Sequence, residues 1–182
     1  MVIKLIKRGL IISSENCLNN IDINNIEFVI LRIGFTDYNL SKTIHKDINF
    51  ENNYKWAHDN KLYIGLFYES RATSIKEAKE ELEFIIDLIN NKIIDYPIII
   101  SFRDDHNTVI YYNKNHKTIS KNLFSRIVDY TYNVIKKNNY IPIILTKNIF
   151  LNKEFNKNKF NILLEEEIID NVLYLDIHNL SK

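Results

Sequence analysis

A single cysteine, Cys17, stands in 182 residues. That excludes an intrachain disulfide framework and any zinc site built from cysteines. Glycine is nearly as scarce. Gly9, Gly34 and Gly65 are the only three, spaced too far apart to form a phosphate-cradling loop. An excess of one charge is missing too: 24 basic residues face 23 acidic ones, a net charge of +1. No global field therefore draws the chain to nucleic acid or to an acidic membrane. No apolar run approaches the length of a membrane-crossing helix. The only apolar run near the N-terminus is Leu10 to Ile12, too short for the core of a signal peptide. Residues 1–7 read as a lead-in, and the compartment stays open.

What is present is an ordinary globular composition, 46% hydrophobic and 26% charged, with length enough for a substantial core. Isoleucine (33), asparagine (26) and lysine (19) make up 78 of the 182 residues. This bias makes asparagine runs weak turn signals. No linker or internal repeat interrupts the chain, so one domain over 1–182 is expected.

Strand and helix patterns alternate. Short apolar runs predict strands at Leu10–Ile12, at Phe28–Ile33 with a stop at Gly34, at Leu62–Phe67, Pro97–Ile100 and Pro142–Leu145, and near 160–164 and 172–177. Helical spacing predicts a helix over Phe50–Asn60, with Tyr54, Ala57 and His58 on one face. A second helix follows the capping box Ser74-Ile75-Lys76-Glu77, with Ala78, Leu82, Ile85, Ile86 and Ile89 inward. A third runs over Ser120–Asn138, with Leu123, Ile127, Tyr130, Val134 and Ile135 inward. Alternation of this kind predicts an α/β fold with a mainly parallel sheet and outer helices. Residues 101–119 lack periodicity and read as a long loop, with a hairpin through Val109 to Tyr112 as one option.

Several of these segments resemble the family 25 glycoside hydrolases, the muramidase-type lysozymes. Phe28-Val29-Ile30-Leu31-Arg32-Ile33-Gly34 is similar to that family's second strand. Lys46-Asp47, Phe50, Asn53 and Ala57 fit the segment after it. Leu62 to Ser74 resembles the third strand and its loop, Glu77 to Glu81 with Phe84 continue the likeness, and Asp95-Tyr96-Pro97 precedes the fourth strand. The resemblance is specific between Phe28 and Phe84 and fades beyond Leu151. It implies an irregular, truncated (β/α) TIM-like barrel with its site at the C-terminal strand ends. It also implies a partner, peptidoglycan or a related glycan, and no cofactor.

Glycoside hydrolysis normally uses two carboxyl groups around the scissile bond. In the family these come from the end of the first strand and from an Asp-x-Glu pattern ending the fourth. Here those positions carry Ile11, Ser101 and Arg103, followed by Asp104. Isoleucine cannot exchange a proton, and a guanidinium stays protonated near neutrality. The expectation is therefore a protein that is not an enzyme, with no catalytic residue. Glycan binding or a structural role in an assembly would remain, with Tyr68, Glu69, Arg103, Asp104 and Asp176 as cleft residues. Glu69 stands where the family pattern carries an aromatic residue. It admits three readings: an ion pair with Arg103, a relocated acid, or a solvated strand-end charge. Two alternatives for the whole chain stay open. One is an active muramidase with carboxyls relocated to Glu69, Asp104 or Asp176. The other is a scaffold that docks a protein partner through the 101–119 loop.

Asp104-Asp105-His106 lacks a third spaced ligand and reads as an acidic turn rather than a metal site. Tyr111-Tyr112 suits either sugar stacking or hairpin packing. Asp176 suits either a cleft role or a structural hydrogen bond. The serines have no companion histidine at a recognisable spacing, so no serine-hydrolase pattern is present.

Overall fold

The computed structural model describes residues 7–16, 18, 21–37, 41–102, 120–146, 159–164, 167–168 and 170–175. The element order is β1 (Lys7–Ile12), β2 (Phe28–Thr36), β3 (Ile44–Lys46), α1 (Phe50–Asp59), β4 (Tyr63–Glu69), α2 (Ile75–Ile89), β5 (Ile98–Ser101), α3 (Lys121–Lys137), β6 (Pro142–Thr146), β7 (Ile162–Leu164) and β8 (Val172–Leu175). The strands form one sheet in the order β7-β6-β5-β4-β2-β1-β8. Its centre is parallel from β1 through β7, while β8 runs antiparallel to β1 and β3 antiparallel to β2. The sheet curls into a half-barrel with helices outside it, a truncated (β/α) barrel. Lys7, read from sequence as lead-in, is the first residue of β1 and pairs with Leu175.

Strand alternation sorts the side chains into two packed layers. On the helix side, Val29, Leu31 and Ile33 of β2 meet Ile64, Leu66 and Tyr68 of β4, Ile98 and Ile100 of β5, and the buried stripes of the helices. On the concave side, Phe28, Ile30, Phe67, Ile99, Ile143, Leu145, Leu173 and Leu175 fill the lower barrel. There Phe28 stacks on Tyr96, ring centroids 4.6 Å apart. Gly9 is required beside them, because a Cβ at that position would lie 2.2 Å from the Phe28 ring.

The helices follow their caps. Ser74 accepts from the Glu77 amide, and Ser120 from the Leu123 amide, as N-cap residues do. The capping box is modified: the Glu77 carboxylate reaches back to the amide and hydroxyl of Thr73, one residue before the cap. On α1 the buried residues are Phe50, Asn53 and Ala57. His58 is exposed rather than inward. β2 continues past Gly34 to Thr36, because β3 pairs with its end, Gly34 opposite Lys46.

Candidate functional site

A cavity of about 580 Å³ opens at the C-terminal ends of the parallel strands. Such strand ends are where (β/α) barrels build their sites. Its wall combines Ile11, Phe67, Leu145 and Ile168 with Ser13, Asn16 and Asn171, and with the charged Glu15, Arg32, Glu69 and Asp170. The concave parity explains the membership. Ile30 and Arg32 on β2, and Phe67 and Glu69 on β4, alternate with residues that face the helices.

Arg32 is the hub. It is the only charged side chain in an otherwise apolar strand segment, and a buried charge must be paired. Its Nε donates to Asp47 Oδ2 at 2.7 Å, its Nη1 to Glu69 Oε1 at 3.3 Å and its Nη2 to Ser14 Oγ at 2.8 Å. The guanidinium also lies over the Phe35 ring, 5.6 Å from its centroid. Burial works against the charge of Arg32. The hydrogen bonds and charges of Asp47 and Glu69 outweigh that cost and hold its pKa above the ordinary value.

Asp47 is fully buried, its side chain 0% exposed. Besides Arg32 it accepts from the amides of Ser14 and Asn49. It thus ties the turn before α1 to the loop that leaves β1. Asn49 and Asn53 reinforce that tie by donating to the carbonyls of Ser14 and Ser13.

Glu69 does reach the cavity. Its side chain is 15% exposed and ion-paired, which removes the reading of a freely solvated strand-end charge. The guanidinium it meets is Arg32's. Arg103, the partner expected from sequence, lies outside the described residues, as do Asp104, Asp176 and the 103–119 segment with its tyrosines and histidines. Tyr68 is corrected: it is 0% exposed and belongs to the helix-side core. Its hydroxyl shares a 2.7 Å hydrogen bond with Thr36 Oγ1, and its ring tilts against Phe84. The period of two that brings Phe67 and Glu69 to the cavity turns Tyr68 away from it.

Ile11 lines the cavity, so an aliphatic side chain fills the position where the resemblance places the first acid. Ser101 ends β5 opposite Glu69 on β4 and Leu145 on β6. It is buried, and its hydroxyl has no hydrogen-bond partner among the described residues. No group of three His, Cys, Asp or Glu side chains among the described residues could hold a metal ion.

Behind the same strand ends sits a second carboxyl, Glu81 of α2. Its Oε1 accepts from Thr36 Oγ1 at 2.6 Å and from the Arg71 amide at 3.1 Å, and its Oε2 from Ser70 Oγ at 2.5 Å. Burial pushes the Glu81 carboxyl above the usual range, against the pull of those hydrogen bonds. Burial, and then the charge of Glu81, likewise raises the Tyr68 phenol.

The same arrangement of strands and helices recurs in solved structures. The glycosyl hydrolase 25 GHIP of Streptococcus pneumoniae superposes with a TM-score of 0.65 at 12% identity, over 87% of this chain and 67% of that one. The chain has the fold of the family 25 glycoside hydrolases. The muramidase from Acremonium alcalophilum matches with a TM-score of 0.59 at 16% identity, over 87% of this chain and 75% of its own. The modular autolysin LytC of S. pneumoniae, solved in complex with a synthetic peptidoglycan ligand, matches with a TM-score of 0.63 at 20% identity over 81% of this chain. This chain spans only 34% of the length of LytC. No protein-family model matches the sequence, and no curated protein does.

These neighbours overturn the expectation of a protein that is not an enzyme. They are a glycosyl hydrolase, a muramidase and an autolysin, and a spore cortex lytic enzyme shares the fold as well. That expectation rests on three positions, Ile11, Ser101 and Arg103. The family 25 fold here presents three other carboxyl groups to the cavity, Glu15, Glu69 and Asp170. Sequence reading also missed Arg32 and Asp47 as site residues. The signal was available: one arginine in Phe28-Val29-Ile30-Leu31-Arg32-Ile33, at the parity of Phe28 and Ile30.

Proposed function

We propose that the chain is a lysozyme-like protein that binds cell-wall glycan in the strand-end cavity. We propose further that it cleaves the glycan with carboxyl groups relocated from the family positions. The observation that carries this reading is Glu69, which ends β4 at the cavity in the grip of Arg32. The apolar part of the wall, Ile11, Phe67, Leu145 and Ile168, suits the apolar face of a sugar ring, and the polar part suits its hydroxyls. Peptidoglycan as the ligand of LytC supports the choice of glycan.

In the two-carboxyl scheme one group protonates the leaving oxygen, and the other stabilises or attacks the developing positive charge. Glu69, fixed through Oε1 by a guanidinium, suits the second role. Asp104, which follows β5 in the sequence, is a candidate for the first, whereas β8 runs antiparallel to β1 and its last residue, Leu175, pairs with Lys7 at the end of β1 away from the cavity, which disfavours Asp176. Glu15 and Asp170 on the cavity wall are the others.

The test is release of reducing ends from purified peptidoglycan between pH 4 and 8. Wild type releases them, and Glu69→Gln lowers the rate by about a hundredfold or more. Equal release by the two proteins, or none from folded wild type, contradicts the proposal.

A further inference from the structure

We infer that Asp47 and Arg32 are positioning residues for Glu69, a carboxylate–guanidinium–carboxylate relay that sets where the cavity carboxylate stands. The inference rests on the hydrolytic reading of Glu69. The geometry orders the three groups. Asp47 is fully buried and held by two backbone amides, so it is the fixed end. Arg32 takes its position from Asp47 through the short Nε contact and from Ser14 through Nη2, with Phe35 beneath it. Nη1 is the arm that extends to Glu69. Glu69 alone of the two carboxyls lines the cavity. A single guanidinium thus has a structural face toward Asp47 and a functional face toward Glu69.

The arrangement makes a demand that packing alone does not. Two carboxylates share one cation, so the charge Glu69 feels depends on Asp47, which never touches the cavity. Removing Arg32 leaves Glu69 without the donor that fixes Oε1. Removing the charge of Asp47 while keeping its shape loosens Arg32 at its fixed end, although Asp47 does not line the cavity. Both variants therefore act on turnover, through the placement of Glu69, more than on binding. Glu15 and Asp170, the other charged groups on the cavity wall, are unchanged in both.

The experiment uses the full chain as wild type, Glu69→Gln, Arg32→Gln, Arg32→Lys and Asp47→Asn, with folding checked by circular dichroism. Reducing-end release gives kcat and KM. The carboxyl carbon NMR shift of Glu69 at one fixed pH is read alongside and needs no activity. Arg32→Gln is expected to lower kcat by about tenfold or more with little change in KM, and Arg32→Lys to recover part of the loss. Asp47→Asn should lower kcat in the same way, and the Glu69 carboxyl shift should move in both Arg32→Gln and Asp47→Asn. If Glu69→Gln is inactive while neither Arg32→Gln nor Asp47→Asn changes kcat or the carboxyl shift, the relay is wrong and Glu69 stands alone. If wild type is inactive or Glu69→Gln is active, the hydrolytic reading fails, and the carboxyl shifts alone decide the relay. Should Asp47→Asn not fold, Arg32→Gln against Arg32→Lys carries the same decision.

Discussion

Asp47 and Glu81 are both buried carboxyls within reach of the C-terminal ends of β2 and β4, yet their surroundings differ. Asp47 meets a guanidinium and two backbone amides. Glu81 meets two hydroxyls and one amide, with Tyr68 linked through Thr36. The first cluster belongs to the cavity side of the sheet and carries its charge toward Glu69. The second lies on the helix side, where burial favours the neutral carboxyl. Alternation puts Arg32 and Glu69 on one face and Tyr68 on the other, and the β-bulge between Arg32 and Gly34 turns Thr36 to the face of Tyr68. The comparison teaches that a charge needed at a cavity is kept by a cation, while a carboxyl needed only for joining elements can be left to hydroxyls.

The largest expected effect breaks the charged cluster. Asp47→Ala takes from Arg32 its buried partner, leaving it Glu69 and Ser14, and unpairs the amides of Ser14 and Asn49, at a cost of about 3 kcal/mol or more. Urea unfolding of the variant measures it. A cost below about 1 kcal/mol, the scale of an exposed pair, would show that Glu69 and solvent balance Arg32 without Asp47.

A smaller effect is expected in the hydroxyl cluster. Thr36→Val keeps the shape of the side chain but removes the bridge between Tyr68 and Glu81. Leaving the buried Tyr68 hydroxyl unpartnered costs about 1–3 kcal/mol in the same measurement. If the cost matches that of Asp47→Ala, the distinction between the two clusters collapses.

The smallest effect is one of pH. The folded Glu81 carboxyl holds its proton to higher pH than the unfolded one, because burial raises it. Its contribution to stability is complete below the unfolded carboxylate range and is lost as pH rises through the raised folded value. Unfolding free energy should therefore fall across that window in wild type. Glu81→Gln, neutral at every pH, should lack that part of the slope. Parallel slopes in the two proteins would place the titration elsewhere.

Much of the fold was legible in the sequence because its strands are apolar runs with clear punctuation. The tracts Phe28–Ile33, Pro97–Ile100 and Pro142–Leu145 coincide with β2, β5 and β6 within a few residues. β3 was not legible. Three residues, Ile44-His45-Lys46, carry no periodicity and become a strand only by pairing with the end of β2.

The site was legible in part. Glu69 could be found because a charge ending an apolar strand is conspicuous. Tyr68 was misplaced because its type suits a glycan site while its parity turns it into the core. Asp47 and Arg32 stand 15 residues apart, and only the turn before α1 brings them together. Glu81 was hidden for a different reason. It lies on the same helical face as Ala78, Leu82 and Ile85, and sequence alone does not show that hydroxyls from two strands' ends would receive it.

The central claim is that the strand-end cavity receives glycan at Arg32 and Glu69. NMR titration of Glu69→Gln with a soluble peptidoglycan fragment tests it most directly, because binding is read without turnover. The account predicts saturable shifts at Ile11, Ser13, Arg32 and Phe67, with the opposite barrel end around Tyr63 and Tyr96 unmoved. Shifts confined to that opposite end, or none at saturating fragment, would contradict it.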